Sequence, residues 1–330
     1  MARAFIFDWG LVFYGLLLVW HFGSLWRGEA AKGALPLLEI SVFSTLLVIL
    51  ATWYGATPGR KLLGLSQQVQ PRWYRLLWIF FSLMIALLTL VQGWRATQVD
   101  VAALLNRDGF DGVLRIGSAL LSPQLSIFDK AIRALIETIY IALMATLLAV
   151  PVAFVVGFFG SQNLMTVTRW GSFVYSVVRF FLNLTRSIEP IIWAIIFSVW
   201  VGIGPFAGML ALALHSVASL GKLYSEQIES IDQGPLEAIT ATGAHSLQVV
   251  WYGVVPQVFL PFLSFTIYRW DINVRMATVI GLVGGGGIGT MLMQYQGLGR
   301  WNEVGTIIIL IAIAVWAMDF ASAKLRAAIS

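Results

Sequence analysis

The chain has 330 residues, of which 59% are hydrophobic and 11% charged, with a net charge of +5 and no cysteine. Soluble domains carry about 25% charged residues, so this chain belongs in a bilayer. At about 20 residues per span there is room for about six to nine transmembrane helices and no large soluble domain. The lack of cysteine excludes disulfides, thiol catalysis, iron–sulfur clusters and cysteine-ligated zinc, and nothing in the spacing of His21, His215 and His245 makes a metal motif.

In chain order, the first apolar run, residues 5–25, holds Asp8 and His21 and has no small-residue cleavage site, so it reads as a retained span. A second run at 35–56 ends at Pro58-Gly59-Arg60-Lys61, and a third begins after Arg72 and Arg75 and reaches Trp94. The connector from 57 to 75 has Arg60, Lys61, Arg72 and Arg75 and no acid, a cytoplasmic signature. Residues 96–130 set Asp100, Asp108, Asp111 and Asp129 against Arg107, Arg115 and Lys130, which suits the opposite side. Thr138–Thr168 is uncharged and contains Pro151 and Gly157, and one kinked helix is expected there.

Pro190–Gly221 is also uncharged, and as one straight helix it would extend about 48 Å against a hydrocarbon core of about 30 Å. Gly202, Gly204, Pro205 and Gly208 supply turn chemistry, so a tight hairpin is expected near 203–208, its first arm reaching back into 171–189. The last spans fall at 261–285 and 304–323, with Lys324 and Arg326 marking a cytoplasmic C-terminus. The expectation is an all-α polytopic membrane protein of about eight spans, both termini cytoplasmic and 96–130 outside.

That count leaves 225–260 in the cytoplasm. Gly234-Pro235 can open a helix with Glu237 near its third position, Gly243 can end it in the left-handed conformation, Ser246 can cap a second helix and Pro256 can stop it. Two short helices at an angle result, with polar faces from Thr240, Thr242, His245, Gln248 and Gln257. The pattern Glu237-Ala238, Gly243 and Pro256 resembles the cytoplasmic coupling loop of ATP-binding-cassette importer permeases: Glu-Ala-Ala, three residues, Gly, nine residues, Ile, one residue, Leu-Pro. Here Ile239, Gly253 and Val255 replace Ala, Ile and Leu.

Further blocks narrow the resemblance to the phosphonate-type importer permease. They are Leu184-Thr185-Arg186-Ser187-Ile188-Glu189-Pro190, the stretch from Val201 to Gly208, His215-Ser216 through Gly221-Lys222-Leu223, and Tyr268-Arg269-Trp270-Asp271-Ile272-Asn273-Val274-Arg275 running into Ala277–Gly284. The resemblance implies a type I (MetI-like) permease core at 131–326, with the coupling loop at 225–260. Residues 73–130 then form a span plus extracytoplasmic segment, and 1–72 a two-span extension. It also implies an inner-membrane subunit working with a second copy of itself, a dimer of separate ATPase subunits that hold ATP and Mg, and an extracytoplasmic phosphonate-binding protein. The chain itself would carry no cofactor, metal or catalytic residue and bind no nucleic acid, and Glu237, Ala238, Gly243 and Pro256 would transmit motion to the ATPase.

Arg269, Asp271, Asn273 and Arg275 form the charged cluster of the late spans and are the translocation-path candidates. At about 100° per residue Arg269 and Asn273 share one helix face, while Asp271 and Arg275, spaced for an intrahelical pair, share nearly the opposite one. Because a charge at the bilayer centre costs at least about 2.5 kcal/mol, Arg269 is expected to face the path, where its planar donors suit a phosphorus oxyanion, with Asp271 and Arg275 locking helix position. Snorkelling to the cytoplasmic end, or a salt bridge to another helix, would also accommodate Arg269.

Two features are read first as structure. Gly284-Gly285-Gly286-Gly287-Ile288-Gly289-Thr290 lacks the lysine of a phosphate-binding loop; close approach of two protomers or a flexible gate element explains it. Arg186 and Glu189 read as helix-end structure in preference to a substrate contact. An ion-coupled secondary transporter and a membrane-embedded enzyme acting on a phosphate-bearing lipid remain alternatives, and either would work without an ATPase partner.

Overall fold

The computed structural model describes residues 106–329 apart from Val167, together with short pieces between 12 and 102. The expected spans at 5–25 and 35–56 and the basic connector 57–75 lie outside the described residues except at 12–14 and 17, and the 72–94 span is described only in part. The chain divides into two compact units, 1–109 and 110–330. In the first, Tyr14 Oη donates to Thr89 Oγ1 at 3.2 Å.

In the second unit every described element is helical. α1 (Arg107–Leu120) occupies the stretch expected to be a polar connector, followed by a short 3-10 turn at Leu125–Ile127. Then come α2 (Phe128–Phe159), α3 (Gln162–Met165), α4 (Arg169–Ser187), α5 (Pro190–Val201), α6 (Pro205–Glu229), α7 (Gln233–Ala241), α8 (Ser246–Val249), α9 (Val255–Gly281), α10 (Gly287–Gly297) and α11 (Trp301–Ile329). Four described helices are long and apolar enough to cross a membrane: 125–159, 205–229, 246–281 and 301–329. The α4–α5 pair, bent by 93°, makes a fifth if it is one span. These five match the five expected beyond residue 130; the total of eight is not established.

α6 is the central helix, with 56% of its most apolar window buried, against 22% for the 246–281 and 301–329 spans. It packs against α2 through a ladder of small residues, Ala142, Ala145, Ala149, Ala153 and Gly157, which recur at the spacing of one helix face. Without a hydrophobic drive between helices in lipid, such small faces let backbones approach and gain dispersion contacts. A Cβ on Gly157 would stand 2.9 Å from the Tyr224 Cβ. Tyr224 stacks on Phe262 of α9, ring centroids 3.9 Å apart, and its hydroxyl lies 2.6 Å from Thr266 Oγ1. As expected, α2 continues through Pro151 as one helix.

The α5–α6 hairpin turns at Gly202–Gly204, but its first arm does not run straight back. Pro190 disfavours helix at Glu189, and the chain leaves the helical region at Ile188 and Glu189 before α5 begins. The glycine run 284–287 serves contacts within the chain. A Cβ on Gly284 would meet Ile203 at 2.7 Å and one on Gly286 would meet Pro205 at 2.6 Å, while one on Gly208 would stand 2.6 Å from the Gly285 carbonyl. Two glycine turns thus interlock, backbone on backbone, and the first amides of α10 beyond them are held by Glu137 Oε1 on Gly287 N, 3.2 Å, and Thr138 Oγ1 on Ile288 N, 2.8 Å.

Candidate functional site

The coupling-loop candidates lie on an exposed pair of short helices. α7 is capped by Asp232, whose carboxylate accepts from Gly234 N at 3.1 Å. The helix thus starts earlier than its glycine and proline indicated, and Glu237 lies within it instead of capping it. Gly243 has φ +80° and ends the helix as expected, because that conformation costs a residue with a Cβ about 1–2 kcal/mol. The cap of α8 is His245, not Ser246: its Nδ1 accepts from Leu247 N while its own N–H donates to Gln248 Oε1 at 2.9 Å.

Pro256 does not stop the second helix. Val250–Val254 forms a π-turn that runs directly into α9, so 246–281 is continuous, and Pro256 sits in the first turn of α9 where its missing N–H costs nothing. The expected polar residues Thr240, Thr242, His245 and Gln248 are exposed, but their side chains bond within the loop. Thr240 and Thr242 donate to Leu236 O and Ile239 O at 2.7 Å each. Gln257 donates to Gly253 O and Asp232 O and accepts from Asp232 N, clamping the root of the loop to α9. The outward surface also carries Glu237 and Ala238 with Leu247, Trp251 and Tyr252, the last three 76%, 63% and 67% exposed.

Two departures from the coupling pattern prove to be one. A Cβ on Gly253 would lie 3.3 Å from Ile239 Cδ1 and 3.4 Å from Leu236 Cδ1. The larger side chain at 239 fills the space left by the missing one at 253.

The charged cluster divides along α9 as the helix geometry requires. Arg275 pairs with Asp271 on its own helix and with Asp319 of α11 at 3.0 Å, tying α9 to α11. Arg269 and Asn273 turn to the other side, against α6. Asn273 is fully buried and donates to Thr146 Oγ1 of α2 at 2.9 Å and Ser216 Oγ at 2.8 Å. Arg269, 7% exposed, donates through Nε to Ser216 Oγ at 3.0 Å and through Nη2 to His215 Nδ1. A polar chain thus crosses the apolar bundle through three helices. Spacing marked the Arg269 and Asn273 face but not its partners: His215-Ser216 stood out only as a family-like block and Thr146 not at all, since no local pattern links them to α9.

Arg186 ends α4, Glu189 stands at the start of α5, and no ion pair joins them among the described residues. Earlier in α4, Arg179 donates to Gly160 O at 2.9 Å and to Glu229 Oε1 at 2.6 Å, and Glu229 also accepts from Gln162 N, which pins the ends of α2 and α6 to the middle of α4 near the loop. No group of His, Asp and Glu suited to a metal occurs among the described residues.

The model of the family "binding-protein-dependent transport system inner membrane component" matches residues 149–329, more than half of the chain. The phosphite transport system permease protein PtxC of Stutzerimonas stutzeri is 38% identical over 233 residues, covering 71% of this chain and 82% of that protein. The putative cryptic phosphonate transport system permease protein PhnE2 of Escherichia coli is 44% identical over 118 residues, 36% of this chain and 97% of that one. Among solved structures, an inward-facing MetNI methionine ABC transporter superposes with a TM-score of 0.54 at 23% identity, over 60% of this chain and 95% of that one, a likeness of fold.

Proposed function

Because this chain belongs to the family of inner-membrane components of binding-protein-dependent transport systems and has the MetI-type permease fold, we propose that it is the membrane subunit of an ATP-driven importer for phosphonate, phosphite or a closely related phosphorus oxyanion. The relatives' names supply the substrate class. An extracytoplasmic binding protein delivers the anion, two copies of this chain enclose the path, and two copies of a separate ATPase, which hold ATP and Mg, drive alternating access. Residues 131–326 are the transporting core and 1–72 an extension to it. Both termini lie in the cytoplasm.

The observation that carries this reading is the 233–254 helix pair. It is braced from within by Asp232, Gln257 and the Ile239–Gly253 contact, yet leaves Glu237, Ala238, Gly243 and Pro256 exposed. A rigid projection of this kind transmits displacement, because its internal hydrogen bonds resist deformation while its outer face is open to a groove on the ATPase. Its continuity with α9 carries any movement to the helix that bears Arg269, Asp271, Asn273 and Arg275. On this reading the Arg269–Asn273 face lines or gates the path, and the Asp271–Arg275–Asp319 pairs hold α9 to α11.

The test is ATP hydrolysis by the complex reconstituted in lipid with its ATPase and phosphite-loaded binding protein. Wild type is expected to be stimulated by the loaded binding protein. Gly243→Asp, which forces a Cβ into the left-handed turn, is expected to lose that stimulation while still inserting in the membrane. Activity indifferent to both partners and to the loop would overturn the importer and favour an enzyme or a secondary transporter.

A further inference from the structure

Arg269 differs from the other arginines that pack into the bundle. Arg179 pairs with Glu229, Arg275 with Asp271 and Asp319, and Arg300 with Glu303. Arg269 is more buried than any of them, and no carboxylate pairs with it among the described residues. Its partners, Ser216 and His215, are side chains that need carry no charge, and the chain continues through Asn273 to Thr146 without meeting an acid. A guanidinium has five N–H donors, and these two contacts engage two of them. Arginine never deprotonates in proteins, so a full positive charge sits inside a membrane bundle with dipoles but no counter-ion among the described residues.

A second observation points to the same place. The half-buried His215 imidazole also lies near the backbone of Arg186. Arg186 is exposed, in the last turn of α4, immediately before the 93° break into α5. It too has no carboxylate partner among the described residues. Broken helix at membrane depth is tolerated where it is buried in protein or lines a water-filled cavity, and broken transporter helices recur at substrate sites. From the surface inward the order is therefore an exposed cation at a helix break, a half-buried imidazole, and a buried cation held by neutral groups.

We propose that Arg186, His215 and Arg269 form a stepwise anion station in the permease, which takes the transported oxyanion first at Arg186 and then at Arg269, with the anion acting as the missing counter-ion. The proposal rests on the importer reading and names the residues that meet the substrate. Ser216 and His215 hold the Arg269 donors in place between transport events, since an anion's oxygens make stronger hydrogen bonds to a guanidinium than a hydroxyl or an imidazole does. Asn273 and Thr146 are positioning residues that fix Ser216. Because the inner cation keeps neutral partners, the anion leaves without an internal carboxylate having to displace it.

The experiment measures phosphite carried per ATP hydrolysed, in proteoliposomes holding the full complex and phosphite-loaded binding protein. In Arg269→Gln the ratio is expected to fall about tenfold or more, because charged hydrogen bonds are replaced by neutral ones. Arg269→Lys, which keeps the charge, is expected to recover most of the ratio, and Arg186→Gln to lower it by several-fold. A purely structural role would lower transport and hydrolysis together, and arginines that only anchor lipid phosphate would leave the ratio at the wild-type value; either result overturns the station. Should Arg269→Gln fail to assemble, the exposed Arg186→Gln variant decides by the same criterion. A wild-type complex without any binding-protein-stimulated hydrolysis would instead remove the importer reading itself.

Discussion

Ile239 and Gly253 face each other across the 233–254 helix pair, and the residues that the coupling pattern has at those positions are a small one and a large one in the opposite order. Gly253→Ile alone would drive branched carbons into Ile239 and Leu236, which already stand 3.3 and 3.4 Å from where a Cβ would be. Overpacking of this kind costs about 1–3 kcal/mol, so a lower unfolding temperature and weaker ATPase stimulation are expected. The double variant Ile239→Ala/Gly253→Ile should recover at least half of the loss, and a double variant no better than Gly253→Ile would mean the two residues do not share one space. The same pairwise logic explains Asn273: its amide donates to Thr146 and Ser216 at once, so it is the knot between α2, α6 and α9.

At the scale of elements, α9 is held on two sides by different chemistry. Toward α6 it uses the uncharged partners of Arg269 and Asn273, and toward α11 it uses Arg275 between two carboxylates. Those carboxylates are unequal: the Asp271 side chain is 4% exposed and that of Asp319 48%. Arg275→Gln leaves a buried carboxylate unpaired and is expected to cost about 1–3 kcal/mol, a figure reduced from the fully buried case because Arg275 is itself 43% exposed. Asp319→Asn should cost less than about 1 kcal/mol, the range of exposed pairs. Thermal unfolding of the two single variants and of Asp271→Asn/Arg275→Gln checks this. The double variant should be more stable than Arg275→Gln, and equal losses from Arg275→Gln and Asp319→Asn would show that the inner pair contributes nothing.

At the scale of the second unit, much of the apolar surface of its described residues is exposed. Trp170, Val199, Trp200 and Ile203, on α4, α5 and the turn after them, are 76–86% exposed. Lipid covers such surface, and so would the second copy that the importer reading requires. Native mass spectrometry of the complex is expected to give two copies of this chain with two ATPase copies. A complex with one copy that still couples hydrolysis to phosphite uptake would exclude the homodimer.

The sequence by itself determined the solvent, the helical class, the left-handed turn at Gly243 and the division of Arg269 and Asn273 from Asp271 and Arg275. These depend on composition, on turn chemistry within a few residues and on the 3.6-residue period, all of which are local. Only the tertiary structure decided what those faces meet. Thr146 and Asn273 are 127 residues apart, Ser216 and Asn273 are 57 apart, and no local pattern encodes such pairings. The same holds for the loop's threonines and glutamines, whose polarity was legible but whose partners were inside the loop, and for the glycines of 284–287, which fit the turn at 202–205. The proline at 256 was a stop signal on propensity alone. It became part of a continuous helix because the first turn of α9 has no use for the N–H that proline lacks, and packing against α6 and α2 outweighs the local preference.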